Sequence, residues 1–181
     1  MHILKIIRLR LYWCTHFDIL EIDVANLKWF EFYGTSKFIC FKNAPMLRNV
    51  NMYLNPQVLT DPSPVCSNVT KFFHYMPSLQ ELKLSGSTLQ AMIYNCYELN
   101  QSRVEMLQRV EMQGFTGFEM EMEFMKIILA SAPVLEEIFV WNMVHYIHQG
   151  TKMMDEMKQF PRVSPDVRFI FEEAYADPEF P

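Results

Sequence analysis

Apolar residues recur along this chain in one short pattern, in which spacings of three and then two residues separate successive apolar positions. Leu79-x-x-Leu82-x-Leu84 is the clearest example. The six segments with this spacing are Ile6/Leu9/Leu11, Leu27/Phe30/Phe32, Leu47/Val50/Met52, Leu79/Leu82/Leu84, Leu107/Val110/Met112 and Leu135/Ile138/Val140. Their first positions lie 21, 20, 32, 28 and 28 residues apart. Because alternation of apolar and polar residues favours a half-buried strand, each segment predicts one short strand.

Repetition at a period of twenty-odd residues is typical of a leucine-rich-repeat solenoid, in which each unit gives a strand and a return segment. No unit can bury its apolar edge alone, so the units stack and share a core. We therefore predict an α/β fold, with a curved sheet, short helices and extended return segments. Residues 1–100 form the repeats. The first unit lacks the polar face of a capping unit, so we expect the chain to begin inside the repeats.

The return side of the first units carries apolar segments of its own. Phe17-x-x-Leu20-x-Ile22 and Phe38-Ile39-Cys40-Phe41 lie 21 residues apart, in step with the strands, and predict extended return segments. Proline stands two residues before three of the repeat leucines, at Pro45, Pro77 and Pro133. Since proline cannot continue a helix, we expect it to end the return segment and lead into the strand in extended conformation.

Three segments between the strands depart from this scheme. Residues 55–67 contain three prolines and predict a surface loop, and residues 68–76 predict a short helix with Phe72, Phe73 and Met76 inward. Residues 86–106 show no clear period, and we assign them no element.

The strongest predicted helix covers residues 117–131. Thr116-x-x-Glu119 matches a capping box, in which the two side chains satisfy each other's backbone amides. An apolar stripe follows, made by Met120, Phe124, Ile127 and Ile128. Residues 151–159 predict a further short helix, and the alternating residues Val167, Phe169 and Phe171 predict a closing strand.

Composition excludes some classes of function and says less about the fold. A net charge of -5 argues against nucleic-acid binding, which needs a basic surface. The four cysteines lack metal-ligand spacing, and we expect reduced thiols in an intracellular protein of the cytoplasm or nucleus. Lys5, Arg8 and Arg10 interrupt the apolar N-terminus, which is unlike a signal peptide, and no run reaches the roughly 20 apolar residues of a membrane span.

Signatures of catalysis are absent from the sequence. There is no glycine-rich phosphate loop, and no cysteine or serine motif indicates a nucleophile with its base. His145 and His148 have helical spacing, but no nearby carboxylate or cysteine completes a metal-binding set. We predict a protein that is not an enzyme and that has no metal or cofactor.

Two faces of the predicted sheet carry candidate polar contacts. On the inner side, the position three residues beyond each triplet can bond the backbone of the neighbouring unit; these residues are Cys14, Thr35, Asn55, Ser87, Phe115 and Met143. On the outer side, Tyr12, Tyr33 and Tyr53 occupy equivalent places and should stack about 5 Å apart. Our hypothesis is that the partner-binding surface consists of Arg8, Arg10, Tyr12, Trp29, Glu31, Tyr33, Asn51 and Tyr53. The alternative is that the tyrosines only stabilise the sheet.

Several segments together resemble the plant F-box/FBD/leucine-rich-repeat family. The motifs that carry the resemblance are Gly114-Phe115-x-Gly117, Glu121-x-Glu123-Phe124-x-Lys126, Ala132-Pro133-Val134-Leu135-Glu136 and Phe160-Pro161-Arg162-Val163-Ser164-Pro165. The resemblance implies that residues 101–175 form an FBD-like domain closing the solenoid, followed by a disordered tail at 176–181. It also implies target recognition for ubiquitin-dependent degradation, with a Skp1-type adaptor as partner.

Nothing in the sequence resembles the F-box, the module through which such proteins bind the adaptor. Two further hypotheses therefore stay open beside the ligase receptor. One is an adaptor-free leucine-rich-repeat binding module or a truncated gene product. The other is a small-ligand receptor with a pocket between the 55–67 loop and the sheet.

Overall fold

The computed structural model describes residues 6–54, 73–93, 104–142 and 147–173. In these residues, seven strands form one parallel sheet in which the spatial order follows the chain order. The strands are β1 Arg8–Asp23, β2 Trp29–Asn43, β3 Asn49–Leu54, β4 Glu81–Ser85, β5 Arg109–Phe115, β6 Glu137–Asn142 and β7 Arg168–Glu173. The helices are α1 Gly86–Ile93, α2 Glu119–Ser131 and α3 Ile147–Lys158. The fold is mixed α/β, as predicted.

The register of the strands brings the apolar triplets into line. The first residues of successive strands are direct partners, from Arg8 beside Trp29 to Glu137 beside Arg168. Two apolar rows consequently run across the sheet and are 0–2% exposed over the middle strands, at Phe30, Phe32, Val50, Met52, Leu82, Leu84, Val110, Met112, Ile138 and Val140. The predicted strands, including the closing strand β7, are confirmed.

A tight turn precedes each of the strands β2–β7. In five of these turns the fourth residue donates its backbone N–H to the carbonyl of the first, at Leu27, Leu47, Leu79, Leu107 and Leu135. The repeat leucine is thus the last residue of a turn, and both ends of the turn point to the core. Pro45, Pro77 and Pro133 occupy the second turn position, where a fixed φ suits a β-turn. The extended lead-in predicted for these prolines is therefore wrong.

Backbone hydrogen bonds join each turn to the preceding one. The residue before a strand and the first residue of that strand both donate to one carbonyl oxygen of the previous unit, at 2.8–3.1 Å. The accepting carbonyls form a line that we call the turn column: Ile7, Lys28, Arg48, Gln80 and Gln108, with Glu136 accepting from Arg168. The turn column fixes the register of every strand in the described residues relative to its neighbour.

The first two units return in extended conformation, as predicted. β1 has 16 residues and continues to pair with β2 through Ile19 beside Phe38 and Ile22 beside Phe41. A straight strand of that length would span about 50 Å, and the link 24–28 could return only about 20 Å. Since Trp29 nevertheless lies beside Arg8, β1 must bend back on itself. The register shifts after Tyr12 and after Cys14 mark the bend.

Longer units return through helices. The units that start at Glu81 and Arg109 are 28 residues long and contain α1 and α2, and the 31-residue unit that starts at Glu137 contains α3. A helix rises only about 1.5 Å per residue against about 3.3 Å in a strand. The extra residues are therefore absorbed over the same return distance, while the strands keep their register.

Helix α1 lies in the segment to which the sequence assigned no element. Its first turn supplies hydroxyl groups to the end of β3. The Leu54 N–H donates to Thr88 Oγ1 at 2.8 Å, and Thr88 Oγ1 donates to the Met52 carbonyl at 3.1 Å. Ser87 Oγ donates to the Leu54 carbonyl at 2.6 Å. At Ser87, the predicted contact with the backbone of the neighbouring unit is confirmed.

Helix α2 begins at Glu119, two residues later than predicted, and its cap differs from the expected one. Glu121, with no exposed surface, turns back so that its Oε2 accepts the backbone N–H groups of Thr116, Gly117 and Phe118 at 2.9, 2.8 and 3.3 Å. The Thr116 hydroxyl also donates to this oxygen at 2.9 Å. The predicted Thr116/Glu119 capping box is therefore wrong. Gly117, which has a positive φ of 77°, lies in the loop that brings these donors together.

Glycine is required where α1 meets this loop. A Cβ atom on Gly86 would lie 2.6 Å from the Gly114 carbonyl oxygen and 2.8 Å from Glu121 Oε1. The backbone of α1 thus packs directly on the buried carboxylate that caps α2.

The remaining predicted elements are only partly described. Helix α3 begins four residues before the predicted 151–159 helix and ends one residue earlier. Of the predicted helix 68–76, only residues 73–76 are described, and Phe73 and Met76 are buried. The 55–67 loop and the 176–181 tail lie outside the described residues, as do Asn55, Met143 and His145. The domain boundary near residue 100 stays a prediction.

We predict that Glu121→Ala lowers the free energy of unfolding by about 2–4 kcal/mol, because it leaves several amides without a partner. Glu119→Ala, the matched control from the same helix turn, removes an exposed carboxylate and should cost about 0.5 kcal/mol or less. Chemical denaturation of the two variants provides the measurement. Equal losses would contradict the observed cap.

Candidate functional site: the exposed face of the sheet

The residues that alternate with the buried rows share the other face of the sheet. Its first row is Arg8, Trp29, Asn49, Glu81, Arg109, Glu137 and Arg168; its second row is Arg10, Glu31, Asn51, Lys83, Glu111, Phe139 and Ile170. The third row starts with Tyr12, Tyr33 and Tyr53. The register therefore brings all eight predicted site residues together across β1, β2 and β3. Whether they bind a partner stays a prediction.

The three tyrosines stack as the sequence predicts. The ring centroids of Tyr12 and Tyr33 are 5.3 Å apart, and those of Tyr33 and Tyr53 are 5.9 Å apart, with interplanar angles of 27° and 14°. Asn51 Nδ2 donates to Tyr33 Oη at 2.9 Å and holds the middle ring. The outer rings remain 45% and 43% exposed, so they offer an accessible aromatic surface.

Charged groups of β1 and β2 orient the site further. Arg10 Nε lies 2.9 Å from Glu31 Oε2, and the Arg8 guanidinium lies over the Trp29 ring at 4.7 Å from its centroid. The hydrogen bond with Glu31 raises the pKa of Tyr12 above its usual value. The Tyr12 hydroxyl is thus oriented toward Glu31.

The middle of the face is an ion-pair network. Lys83 Nζ lies 2.6 Å from Glu111 Oε2, and Gln113 Nε2 donates to Glu111 Oε1 at 3.2 Å. Burial raises the pKa of Glu111, but the hydrogen bonds from Lys83 and Gln113 outweigh it and hold that pKa below its usual value. Opposite charges neutralise each other in this part of the face.

The predicted site does not include Trp13, which at 91% has the highest exposed fraction of the large hydrophobic residues described. Simple alternation would turn the residue after Tyr12 to the core. β1 instead contains an extra residue at this point, since Tyr12 pairs with Tyr33 and Cys14 pairs with Gly34. The sequence holds a weak signal of this bulge, because the first repeat spacing is 21 residues and the second is 20.

A second aromatic pair lies at the other end of the face. The rings of Phe139 and Trp141 on β6 are 5.1 Å apart, and both residues are half-buried. They lie outside the predicted site. Among the described residues there is no helix long and apolar enough to cross a membrane, and no group of three potential metal ligands. The predictions about enzyme activity, metals and cofactors remain predictions.

Comparison with known proteins gives a distant relative. An F-box/FBD/LRR-repeat protein of Arabidopsis thaliana is 25% identical over 132 residues, which are 69% of this chain and 31% of the relative. The chain therefore spans about a third of the length of that relative. No protein-family model matches the chain. No solved structure matches it.

We predict that Glu111 makes stability depend on pH. Because its pKa is lowered in the folded state, its contribution is present above the ordinary glutamate pKa of about 4.3 and is lost as the pH falls through the folded value. The stability advantage of the wild type over Glu111→Gln should therefore be largest near neutral pH and shrink in acid. Urea denaturation between neutral pH and about pH 3 measures this advantage.

Glu123→Gln is the control, because Glu123 pairs with Lys126 on the exposed side of α2. This variant should change stability little over the same range, as exposed pairs contribute little. A constant difference between wild type and Glu111→Gln at every pH would contradict the assignment.

Proposed function

We propose that this chain is a protein–protein interaction module and, more specifically, the target-recognition part of an F-box/FBD/leucine-rich-repeat ubiquitin-ligase receptor. The observation that supports this proposal most strongly is the aromatic and charged surface across β1, β2 and β3. Binding on an exposed sheet face requires no chemistry from the protein itself. The similarity to an F-box/FBD/LRR-repeat protein of Arabidopsis thaliana supports this proposal.

The architecture of the proposed module is a leucine-rich-repeat solenoid. Parallel strands in chain order, a turn before each of the strands β2–β7 and the shared turn column support it. Since each unit contacts mainly its neighbours, such a stack exposes a long sheet surface. This surface is the feature that the proposed binding function uses.

The C-terminal part, residues 101–175, is the proposed FBD-like closure of the solenoid. Two motif residues that carry the resemblance have structural roles that support it. Gly114 has a positive φ of 67° and its carbonyl lies against Gly86, and Glu121 caps α2. The segment at 160–165 contributes Phe160, which is 8% exposed, and Ser164, whose Oγ donates to the Leu135 carbonyl at 2.6 Å.

The partner contact is proposed at the ends of the tyrosine stack. Exposed tyrosines that are held rigidly lose little entropy on binding, and tyrosine, tryptophan and arginine dominate interface energetics. Tyr12 and Tyr53 satisfy this description better than Tyr33, which the stack and Asn51 cover. Arg10 and Glu31 flank the rings as polar contacts.

A second candidate is an adaptor-free binding module that uses the same sheet surface. The two candidates share the same target surface and differ in what else they bind. Affinity purification of the 181-residue chain from plant cells separates them. Adaptor and cullin among the co-purifying proteins would favour the ligase receptor, and a specific partner without them would favour the module.

We predict that the double variant Tyr12→Ala/Tyr53→Ala loses its co-purifying partner, because both exposed rings of the stack are removed. Each truncation of an interface hot spot typically costs about 2 kcal/mol or more of binding. The melting temperature should fall by only a few degrees, since the buried rows are untouched. Quantitative mass spectrometry and thermal denaturation are the two readouts.

Phe139→Ala/Trp141→Ala is the matched control, because it removes the aromatic pair at the other end of the same face. It should retain the partner. If the tyrosine variant keeps the full partner set but melts much lower, the stack only stabilises the sheet and the proposed surface is wrong.

A further inference from the structure

Trp13 combines two features that a folded chain normally avoids. It is a non-glycine residue in the left-handed region, with φ of 57°, and its side chain is 91% exposed. A left-handed backbone costs free energy for a residue with a Cβ atom, and a bulky indole adds to this cost. The free energy of burying a tryptophan side chain normally offsets such strain. Here the side chain is exposed, so burial contributes almost no stabilisation.

The cost arises from the extra residue in β1. Trp13 lies between the pairs Tyr12/Tyr33 and Cys14/Gly34 and has no direct partner in β2. Such bulges often redirect a side chain close to a functional site. This bulge turns the indole out to solvent directly beside the exposed end of the tyrosine stack. Because burial of the side chain does not offset this backbone strain, the strain is best explained by a contact that Trp13 makes with another molecule.

Charge is distributed unevenly along the chain. Residues 1–54 contain seven lysines and arginines against four aspartates and glutamates, whereas residues 55–181 contain nine against seventeen. The exposed residues that precede the strands follow this gradient, from Lys28 and Arg48 in the first units to Glu136. Arg8 is also exposed, at the start of β1. Among the side chains described in residues 6–54, five lysines and arginines stand against three aspartates and glutamates. Arg10 pairs with Glu31 and Lys42 pairs with Glu21, so the positive excess at the Trp13 end of the sheet lies with Arg8, Lys28 and Arg48.

We propose that Trp13 is the anchor for an acidic, extended segment of a partner protein that lies along β1 and β2. This inference rests on the proposed binding function and adds the anchor residue and the chemistry of the partner. Trp13 and Lys28 are about six strand positions apart, or roughly 20 Å. An extended segment of six or seven residues can therefore contact the indole with an apolar side chain while its carboxylates face Arg8, Lys28 and Arg48.

The test uses a random twelve-residue peptide library selected against the intact chain. Selected peptides should be enriched in aspartate and glutamate and contain an apolar residue. Their affinity should fall roughly tenfold or more in Trp13→Gly, as expected for a hot spot. Glycine tolerates positive φ, so the same variant should melt at or above the wild-type temperature. Loss of binding with gained stability is a signature that a merely structural tryptophan would not give.

Matched controls distinguish a specific contact of Trp13 from a general effect of removing an exposed side chain. Phe118→Ala removes another exposed aromatic side chain, 63% exposed at the start of α2, and should leave peptide affinity unchanged. Lys28→Glu/Arg48→Glu should weaken binding, and raised salt should weaken wild-type binding, because exposed charges are screened. Lys152→Glu, which changes an exposed charge on α3, should leave peptide binding unchanged.

Each contrary outcome has a definite meaning. Peptides that need the tyrosines but bind Trp13→Gly normally would overturn this inference and leave the proposed function standing. Selection of basic or uncharged peptides would overturn the inference that the partner segment is acidic. Tighter binding of a single-stranded oligonucleotide of twelve nucleotides than of the selected peptides would overturn it as well. Failure of the library to yield any peptide would count against both proposals.

Discussion

The structure depends on the hydrogen bonds of the turn column. One carbonyl oxygen before each of the strands β1–β5 accepts two N–H groups from the next unit, and the carbonyl before β6 accepts the Arg168 N–H. These contacts set the register at the start of each strand that follows. A slip by one residue would exchange the buried and exposed faces. With the register fixed, apolar triplets from units of unequal length meet in two continuous buried rows.

This arrangement separates the strand side from the return side. The strand side must repeat strictly, because its residues pair directly with both neighbours. The return side can vary, and it does so in a regular manner: units of 20 and 21 residues return as strands, and units of 28 and 31 residues return through helices. The register of the exposed face therefore does not depend on the length of the return segments.

The strand side was predictable from sequence because its signal is a period. The apolar triplets located six of the seven strands, β1–β6, and the equivalence of Tyr12, Tyr33 and Tyr53 predicted their stack. Local exceptions were not predictable from a period. The bulge at Trp13 changes which face a side chain occupies, and Glu121 replaces Glu119 because the loop around Gly117 brings three amides to it. Helix α1 was missed because its first turn is organised by hydroxyl contacts with β3, which depend on the neighbouring unit.

Amide hydrogen exchange, resolved by residue, tests the turn column most directly. The amides of Arg48, Gln108 and Glu136 belong to residues with exposed side chains, so exposure alone predicts fast exchange. The turn column predicts instead that these amides exchange as slowly as those of the buried rows, such as Leu82 and Val110. Exchange as fast as in an unstructured peptide of the same sequence would contradict the account.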